Sequence, residues 1–263
     1  MSGGWEAREI KGSASARCAP LDPRDRDAQV SIRSHPWPKL VVQDFAEVLL
    51  VDPFTAMNTV GLVAFALVGA TKAIREEFDV FGVAVVGLVT AFAGGATRDL
   101  LVNRVPLALR SVGEIGLGML GVGLAVLLSV VLDSPDDHPV TLFSDAVGLA
   151  AFATAGAIVA TDAGVSGFGV VAIATINAVG GGAFADILLD RSPFILFDDF
   201  YASCAVLGGS TYWIAVTVGA TGSTAAAVCA ATTVGTRMAA VTYGWTLPTA
   251  QMLGLARRET GNR

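Results

Sequence analysis

The apolar residues of this chain fall into long stretches that short polar segments separate. Five charge-free stretches cover residues 53–71, 80–97, 115–132, 146–161 and 163–185. A sixth covers residues 201–236, and a turn-like Gly-Ala-Thr-Gly-Ser segment at 219–223 divides it into two helices. Since a helix needs about 20 apolar residues to cross a bilayer, the pattern predicts an all-α integral membrane protein with seven transmembrane helices. The shortest stretch, 146–161, is expected to begin earlier, near Leu142.

Two parts of the chain repeat each other. Residues 57–106 align without a gap on residues 144–193, and 20 of the 50 pairs are identical, Asp99 with Asp186 among them. Three predicted helices separate corresponding residues and, because three is odd, the second unit enters the membrane from the opposite face. The sequence therefore predicts an inverted repeat of two three-helix units plus a seventh helix, with the functional path at the interface of the units.

The repeat defines the expected domain organisation. A polar, Pro-containing N-terminal segment is interpreted as a disordered tail, and a second polar tail follows the last helix. The five parts are the N-terminal tail at 1–52, the first unit at 53–136, the second unit at 140–220, the seventh helix at 221–247 and the C-terminal tail at 248–263.

Composition and charge narrow the function classes. The chain is 53% hydrophobic and only 15% charged, with a net charge of −6. No basic face or run suggests a nucleic-acid partner. Three cysteines without framework spacing and two histidines in polar segments predict no metal site, no cofactor and no enzymatic centre.

Basic residues near the predicted helix ends indicate the orientation. The positive-inside rule places the face with more basic residues in the cytoplasm. For a protein of a prokaryotic plasma membrane, this puts the C-terminus in the cytoplasm and the N-terminal tail outside the cell. The richer face has Lys72, Arg75, Arg191, Arg237, Arg257 and Arg258, and the other has Lys39, Arg104 and Arg110.

Clustered glycines recur at the same place in both units. The first cluster is Gly94 and Gly95, and the second is Gly180, Gly181 and Gly182. Each glycine costs a helix about 1 kcal/mol relative to alanine. Two readings remain open: a break in the helix whose freed carbonyls meet a cation, or a close helix crossing that leaves no room for side chains. Both can hold together.

One acidic residue follows each glycine cluster by one helical turn. Asp99 and Asp186 are costly near a membrane unless they are paired or hydrated. Either they attract cations toward a central path from opposite sides, or they cap the next turn or pair with the arginine five residues on, Arg104 or Arg191. Arg98 precedes the first aspartate, whereas Ala185 holds the corresponding position in the second unit. Arg98 either pairs with Asp99 or lines the path alone.

Three further polar side chains are candidates for the path. Lys72 ends the first apolar stretch and has no basic counterpart in the second unit; it is either a snorkelling anchor or a charge at the mouth of a pore. Thr90 and Asn177 occupy equivalent positions just before the glycines. Their oxygens either meet a solute or bond a neighbouring helix.

At these residues the chain resembles a known family, the trimeric intracellular cation (TRIC) channels, and in particular their prokaryotic branch with its glycine transporter domain. The shared features are the two units plus a seventh helix, the Asp-x-Phe-Gly segment at 79–82, and the glycine run ahead of an aspartate. The resemblance implies a homotrimer in which each protomer has its own pore, bent at the glycines of the second and fifth helices. The family pattern is Gly-Gly-Gly-x-x-Arg-Asp, and this chain departs from it at Ala93 and at Ala185.

The resulting hypothesis is a membrane channel for small monovalent cations such as K⁺. The alternative is a carrier for a small zwitterion such as glycine, in which half-helix amides would meet the carboxylate. A structural or signalling membrane protein is a third class. Membrane lipids and further copies of the chain are the expected partners.

Overall fold

The computed structural model describes residues 52–131, 139–196 and 200–247. The expected C-terminal tail and all but the last residue of the expected N-terminal tail lie outside these residues. The described residues form seven α-helices and two short 3₁₀ helices at Leu107–Leu109 and Phe194–Leu196. The helices are α1 Pro53–Arg75, α2 Val80–Leu101, α3 Val112–Val131, α4 Pro139–Asp162, α5 Gly167–Leu188, α6 Ala202–Thr217 and α7 Gly222–Tyr243.

Side-chain caps explain where several helices begin. The Asp52 carboxylate accepts hydrogen bonds from the amides of Phe54 and Thr55 at 3.3 and 3.1 Å, and Pro53 occupies the first helical position. Asp79 caps α2 and Ser166 caps α5, each by accepting from the amide three residues on. These two caps correspond in the repeat, so the same local signal starts the second helix of each unit.

Six of the seven helices are long and apolar enough to cross a membrane. The exception is α6, which has 16 residues and ends before Gly219, a glycine with φ of +87°. At about 1.5 Å per residue such a helix is shorter than the roughly 30 Å hydrocarbon layer, so the prediction of seven membrane-length helices is met by six. Helix α4 begins at Pro139, earlier than the sequence indicated, and α5 begins only at Gly167.

Helices α1 and α4 form the centre of the bundle. Helix α1 packs against α2, α3 and α4, while α4 also packs against α5, α6 and α7, and α2 packs against α5. Small residues allow this close packing, because alanine and glycine supply 6 of the 12 buried residues of α1 and 9 of the 14 of α4. The arrangement brings α2 and α5, the helices that carry the glycine clusters, directly together.

Residues that correspond in the repeat contact each other reciprocally at the centre. A Cβ added at Gly61 would overlap the Phe152 ring, and a Cβ added at Gly148 would overlap the Phe65 ring. The two rings meet edge to face with centroids 5.1 Å apart. Each unit therefore supplies one phenylalanine and the glycine that accommodates the phenylalanine of the other unit.

Candidate functional site

The two glycine clusters meet where α2 crosses α5. A Cβ added at Gly94 would overlap the carbonyl oxygen of Asn177, and one added at Gly181 would overlap that of Thr90. At Gly180 a Cβ would lie 3.2 Å from the Cα of Gly94. Both helices run unbroken through these residues. Of the two readings left open by the sequence, the structure shows the close helix crossing: neither helix is broken here, and the glycines allow two backbones to touch.

The remaining glycines of the clusters face side chains on either side of the crossing. A Cβ at Gly95 would lie 3.7 Å from Nη2 of Arg98 and 3.8 Å from Oδ1 of Asn177. A Cβ at Gly182 would lie 3.2 Å from the Phe194 ring. The crossing is thus flanked by Arg98 and Asn177 at Gly95 and by the Phe194 ring at Gly182.

In the first unit, Asp99 is buried and holds two partners. Its Oδ1 accepts from Nε of Arg98 at 2.8 Å and lies 2.7 Å from Nη2 of the same guanidinium. Its Oδ2 accepts from the amide of Leu107 at 3.0 Å, at the start of the first 3₁₀ helix. Among the two arginines that the sequence offered, the partner is Arg98, while Arg104 is exposed. The Arg98 guanidinium lies 5.4 Å from the centre of the Phe54 ring.

A second acidic residue belongs to this site. Glu114, in the first turn of α3, accepts from Nδ2 of Asn58 at 2.9 Å. Asn58 and Glu114, together with Arg98 and Asp99, line a cavity of about 10 Å³. This is close to the volume that one water molecule needs. Sequence reasoning missed Asn58 and Glu114, although Glu114 lies directly before a charge-free apolar stretch.

In the second unit, Asp186 is held in the same way by a different cation. Its Oδ1 lies 3.1 Å from Nζ of Lys72 on α1. Its Oδ2 accepts from the amide of Phe194 at 2.9 Å, at the start of the second 3₁₀ helix. The Lys72 amino group also lies 4.6 Å from the centre of the Phe194 ring. Lys72 therefore pairs with Asp186, and Arg191 is ion-paired with Glu76.

The residues 87 positions after Asn58 and Glu114, at the offset of the repeat, also form a hydrogen bond. They are Asp145 and Tyr201, and the Tyr201 hydroxyl donates to Oδ1 of Asp145 at 2.9 Å. The Arg237 guanidinium lies 4.5 Å from the centre of the Tyr201 ring, with Nη2 3.8 Å from Oδ2 of Asp145. The two sites thus share one plan with different chemistry, and sequence reasoning missed this pair because an amide–carboxylate pair is replaced by a carboxylate–phenol pair.

The sites differ most in how open they are. The cavity at Asp186 has a volume of about 330 Å³, against about 10 Å³ at Asp99. A vestibule of this size can hold several water molecules. Its charged lining residues are Lys72, Arg75, Asp145, Asp186, Arg191 and Arg237.

Thr90 and Asn177 lie at the crossing itself. The Thr90 hydroxyl donates to the carbonyl of Val86 at 2.7 Å, within its own helix. Nδ2 of Asn177 donates to the carbonyl of Phe152 on α4 at 2.6 Å. Oδ1 of Asn177 and Nη1 of Arg98 are buried and have no hydrogen-bond partner among the described residues. Oδ1 of Asn177 and the guanidinium of Arg98 both lie on the Gly95 side of the crossing.

Membrane-length helices, a central glycine crossing and one buried aspartate on each side of it define a polytopic integral membrane protein. Residues 55–131 and 142–217 match the sequence profile of the Glycine transporter family. The match covers more than half of the chain and includes both units, and the chain belongs to this family.

Relatives and solved structures agree with this assignment. The chain is 37% identical over 161 residues to a UPF0126 membrane protein of Deinococcus radiodurans, covering 60% of this chain and 74% of the relative. It is 38% identical over 154 residues to the UPF0126 membrane protein YvgT of Bacillus subtilis, covering 58% and 76%. A solved structure that describes conductance through TRIC cation channels matches with a TM-score of 0.69 and 34% identity, covering 74% of this chain and 95% of that one.

The predicted resemblance to the prokaryotic TRIC branch is therefore confirmed at the level of sequence family and fold. The relatives are membrane proteins of bacteria, and six helices have membrane length. The chain is accordingly an integral protein of the prokaryotic plasma membrane.

Proposed function

We propose that this protein is a channel for small monovalent cations, K⁺ foremost, and that the path lies inside each protomer where α2 crosses α5. The observation that carries the proposal is the similarity to a TRIC cation channel over 74% of this chain, at 34% identity and a TM-score of 0.69. The matched family segments include both glycine clusters and both central aspartates.

The proposed path depends on an inverted arrangement of the two units. Three helices separate each residue from its counterpart, and the reciprocal contacts of Gly61 with Phe152 and Gly148 with Phe65 are those that a two-fold axis between the units produces. With the axis in the membrane plane, Asp99 and Asp186 lie toward opposite faces. The path then has one carboxylate on each side of the crossing.

The two carboxylates are the groups on the proposed path that support a cation as the solute. Each central aspartate uses one oxygen for a peptide amide and the other for a basic side chain. A carboxylate in a low-dielectric surrounding interacts strongly with a nearby cation, so a passing ion would share Asp99 with Arg98 and Asp186 with Lys72. The crossing leaves no space between the backbones at Gly181, so conduction requires α2 and α5 to separate.

The carrier hypothesis receives less support from the geometry. A zwitterion carrier of the expected type needs a half-helix whose amides meet a carboxylate. Helices α2 and α5 are unbroken over their whole length, so neither offers such an N-terminus at the centre. The family's description as a glycine transporter remains the argument for testing it.

Two further features belong to the proposal. By resemblance to the TRIC channels, three protomers assemble and each keeps its own path. By the positive-inside rule, the face with Lys72, Arg191 and Arg237 is cytoplasmic, so the open cavity at Asp186 would be the cytoplasmic entrance.

Recording from purified protein in a planar bilayer tests the function. Under a KCl gradient we expect discrete current steps that reverse near the K⁺ equilibrium potential. The Asp99→Asn/Asp186→Asn double variant should carry less current and show a weaker preference for cations. Saturable exchange of labelled glycine without current steps would instead establish the carrier. The absence of both current steps and glycine exchange would refute both transport functions.

A further inference from the structure

The two units differ in their basic residues at two corresponding positions. Arg98 corresponds to Ala185, so the second unit lacks the arginine that pairs with the first aspartate. Lys72 corresponds to Val159, so the first unit has a lysine that the second lacks. The additional lysine lies where the arginine is missing, because Nζ of Lys72 is 3.1 Å from Oδ1 of Asp186.

The two aspartate sites are otherwise alike. Each aspartate has a basic group at one oxygen and, at the other, the amide of the residue eight positions on: Leu107 for Asp99 and Phe194 for Asp186. Resting on the proposed channel function, we propose that Lys72 replaces the missing arginine from the other unit, and that its ammonium group competes with the permeating cation for Asp186.

The surroundings of the two cations make only one of them able to leave. The Arg98 side chain is 2% exposed, is adjacent in sequence to Asp99 and lies 5.4 Å from the centre of the Phe54 ring. The Lys72 side chain is 24% exposed and comes from a different helix. Since breaking a buried pair leaves an uncompensated charge, Arg98 stays with Asp99, whereas Lys72 can turn into the water of the adjoining cavity.

The shape of the cavity fits this competition. Lys72 and Asp186 both line the cavity of about 330 Å³, so an ion that enters it reaches Asp186 without crossing the bundle. A lysine ammonium is a compact, hydrated point charge on a flexible stem, and it resembles a monovalent cation in charge. While Lys72 is paired with Asp186, its ammonium group occupies the position that a K⁺ ion would take. When the Lys72 side chain turns away, a carboxylate oxygen of Asp186 becomes available to an ion in the cavity.

Current measured against K⁺ concentration tests the competition. The Lys72→Met variant removes the charge at similar length, and we expect its half-saturating K⁺ concentration to fall about fivefold, the factor that ~1 kcal/mol of lost competition represents. Lys72→Arg should stay near the wild type. Lys72→Gln provides a second neutral variant with the same expected fall, in case Lys72→Met does not fold.

The matched control is Arg191→Met. Arg191 lines the same cavity but pairs with Glu76 rather than with Asp186, so the control lowers the cavity charge by the same amount. An equal fall in this control would show that the general field of the cavity is responsible and would overturn the competition. An unchanged half-saturating concentration in both neutral Lys72 variants would overturn it as well.

Adding Ala185→Arg to the Lys72→Met variant tests the replacement itself. An arginine at 185 restores the pattern of the first unit, and we expect the half-saturating concentration to rise again. A stable double variant that keeps the low value would contradict the replacement.

A stability cycle separates this inference from the proposed function. Melting temperatures of Lys72→Met, Asp186→Asn and the double variant should be non-additive, because the two groups interact. If the wild type carries no current, the proposed function fails together with the competition, while non-additive melting still supports the pairing. If the wild type conducts but the Lys72 variants match it, only this inference fails.

Discussion

Replacing Gly181 by alanine tests the closeness of the α2–α5 crossing. The added Cβ would lie well inside 3.0 Å of the Thr90 carbonyl, whereas ordinary contact begins at 3.4 Å. The two backbones would have to separate by on the order of 1 Å, and overpacking of this kind costs about 1–3 kcal/mol. Alanine also gains about 1 kcal/mol of helix propensity over glycine, so the comparison needs a control with the same gain.

Gly123→Ala on α3 is that control, because a Cβ there meets nothing within 4 Å. We expect Gly181→Ala to be about 2 kcal/mol less stable than Gly123→Ala, which corresponds to a melting temperature about 4–8 °C lower. Thermal unfolding of the purified variants, followed by circular dichroism, measures the difference. Equal melting temperatures would refute a tight crossing at Gly181.

Two other variants probe the packing and the ion pairs. Asp99→Asn should lower stability by about 3–5 kcal/mol, since it leaves the Arg98 charge buried and unpaired. Asp186→Asn should lower stability less, because the Lys72 ammonium group can reach the water of the cavity. Equal losses of stability in thermal unfolding would contradict this difference. Phe152→Ala should cost about 3–5 kcal/mol by opening a cavity at the centre of the bundle, and a loss below about 1 kcal/mol would contradict the central role of the ring.

Much of the fold could be predicted because its signals are local. Charge-free stretches define the helices, and the repeat relates them in pairs. Helix ends were less predictable: α6 ends early at a glycine turn, and α4 extends through the polar residues Thr141, Ser144 and Asp145. Apolarity does not mark the first residue of a helix whose first turns carry polar side chains.

The candidate site was predictable only in part. The glycines and the aspartates stand out because the repeat preserves them. The partner of Asp186 does not, since Lys72 lies 114 positions away and is brought there by the packing of α1 on the second unit. Glu114 and Tyr201 correspond by position but not by chemistry, so a comparison of identities does not connect them.

Labelling of residues 104 and 191 from each side of the membrane tests the inverted repeat most directly. These arginines follow α2 and α5 and correspond in the repeat. In a variant whose three cysteines are replaced, Arg104→Cys should react with an impermeant thiol reagent from outside the cell and Arg191→Cys only from the cytoplasm. Reaction of both from the same side would contradict the inversion and the path built on it.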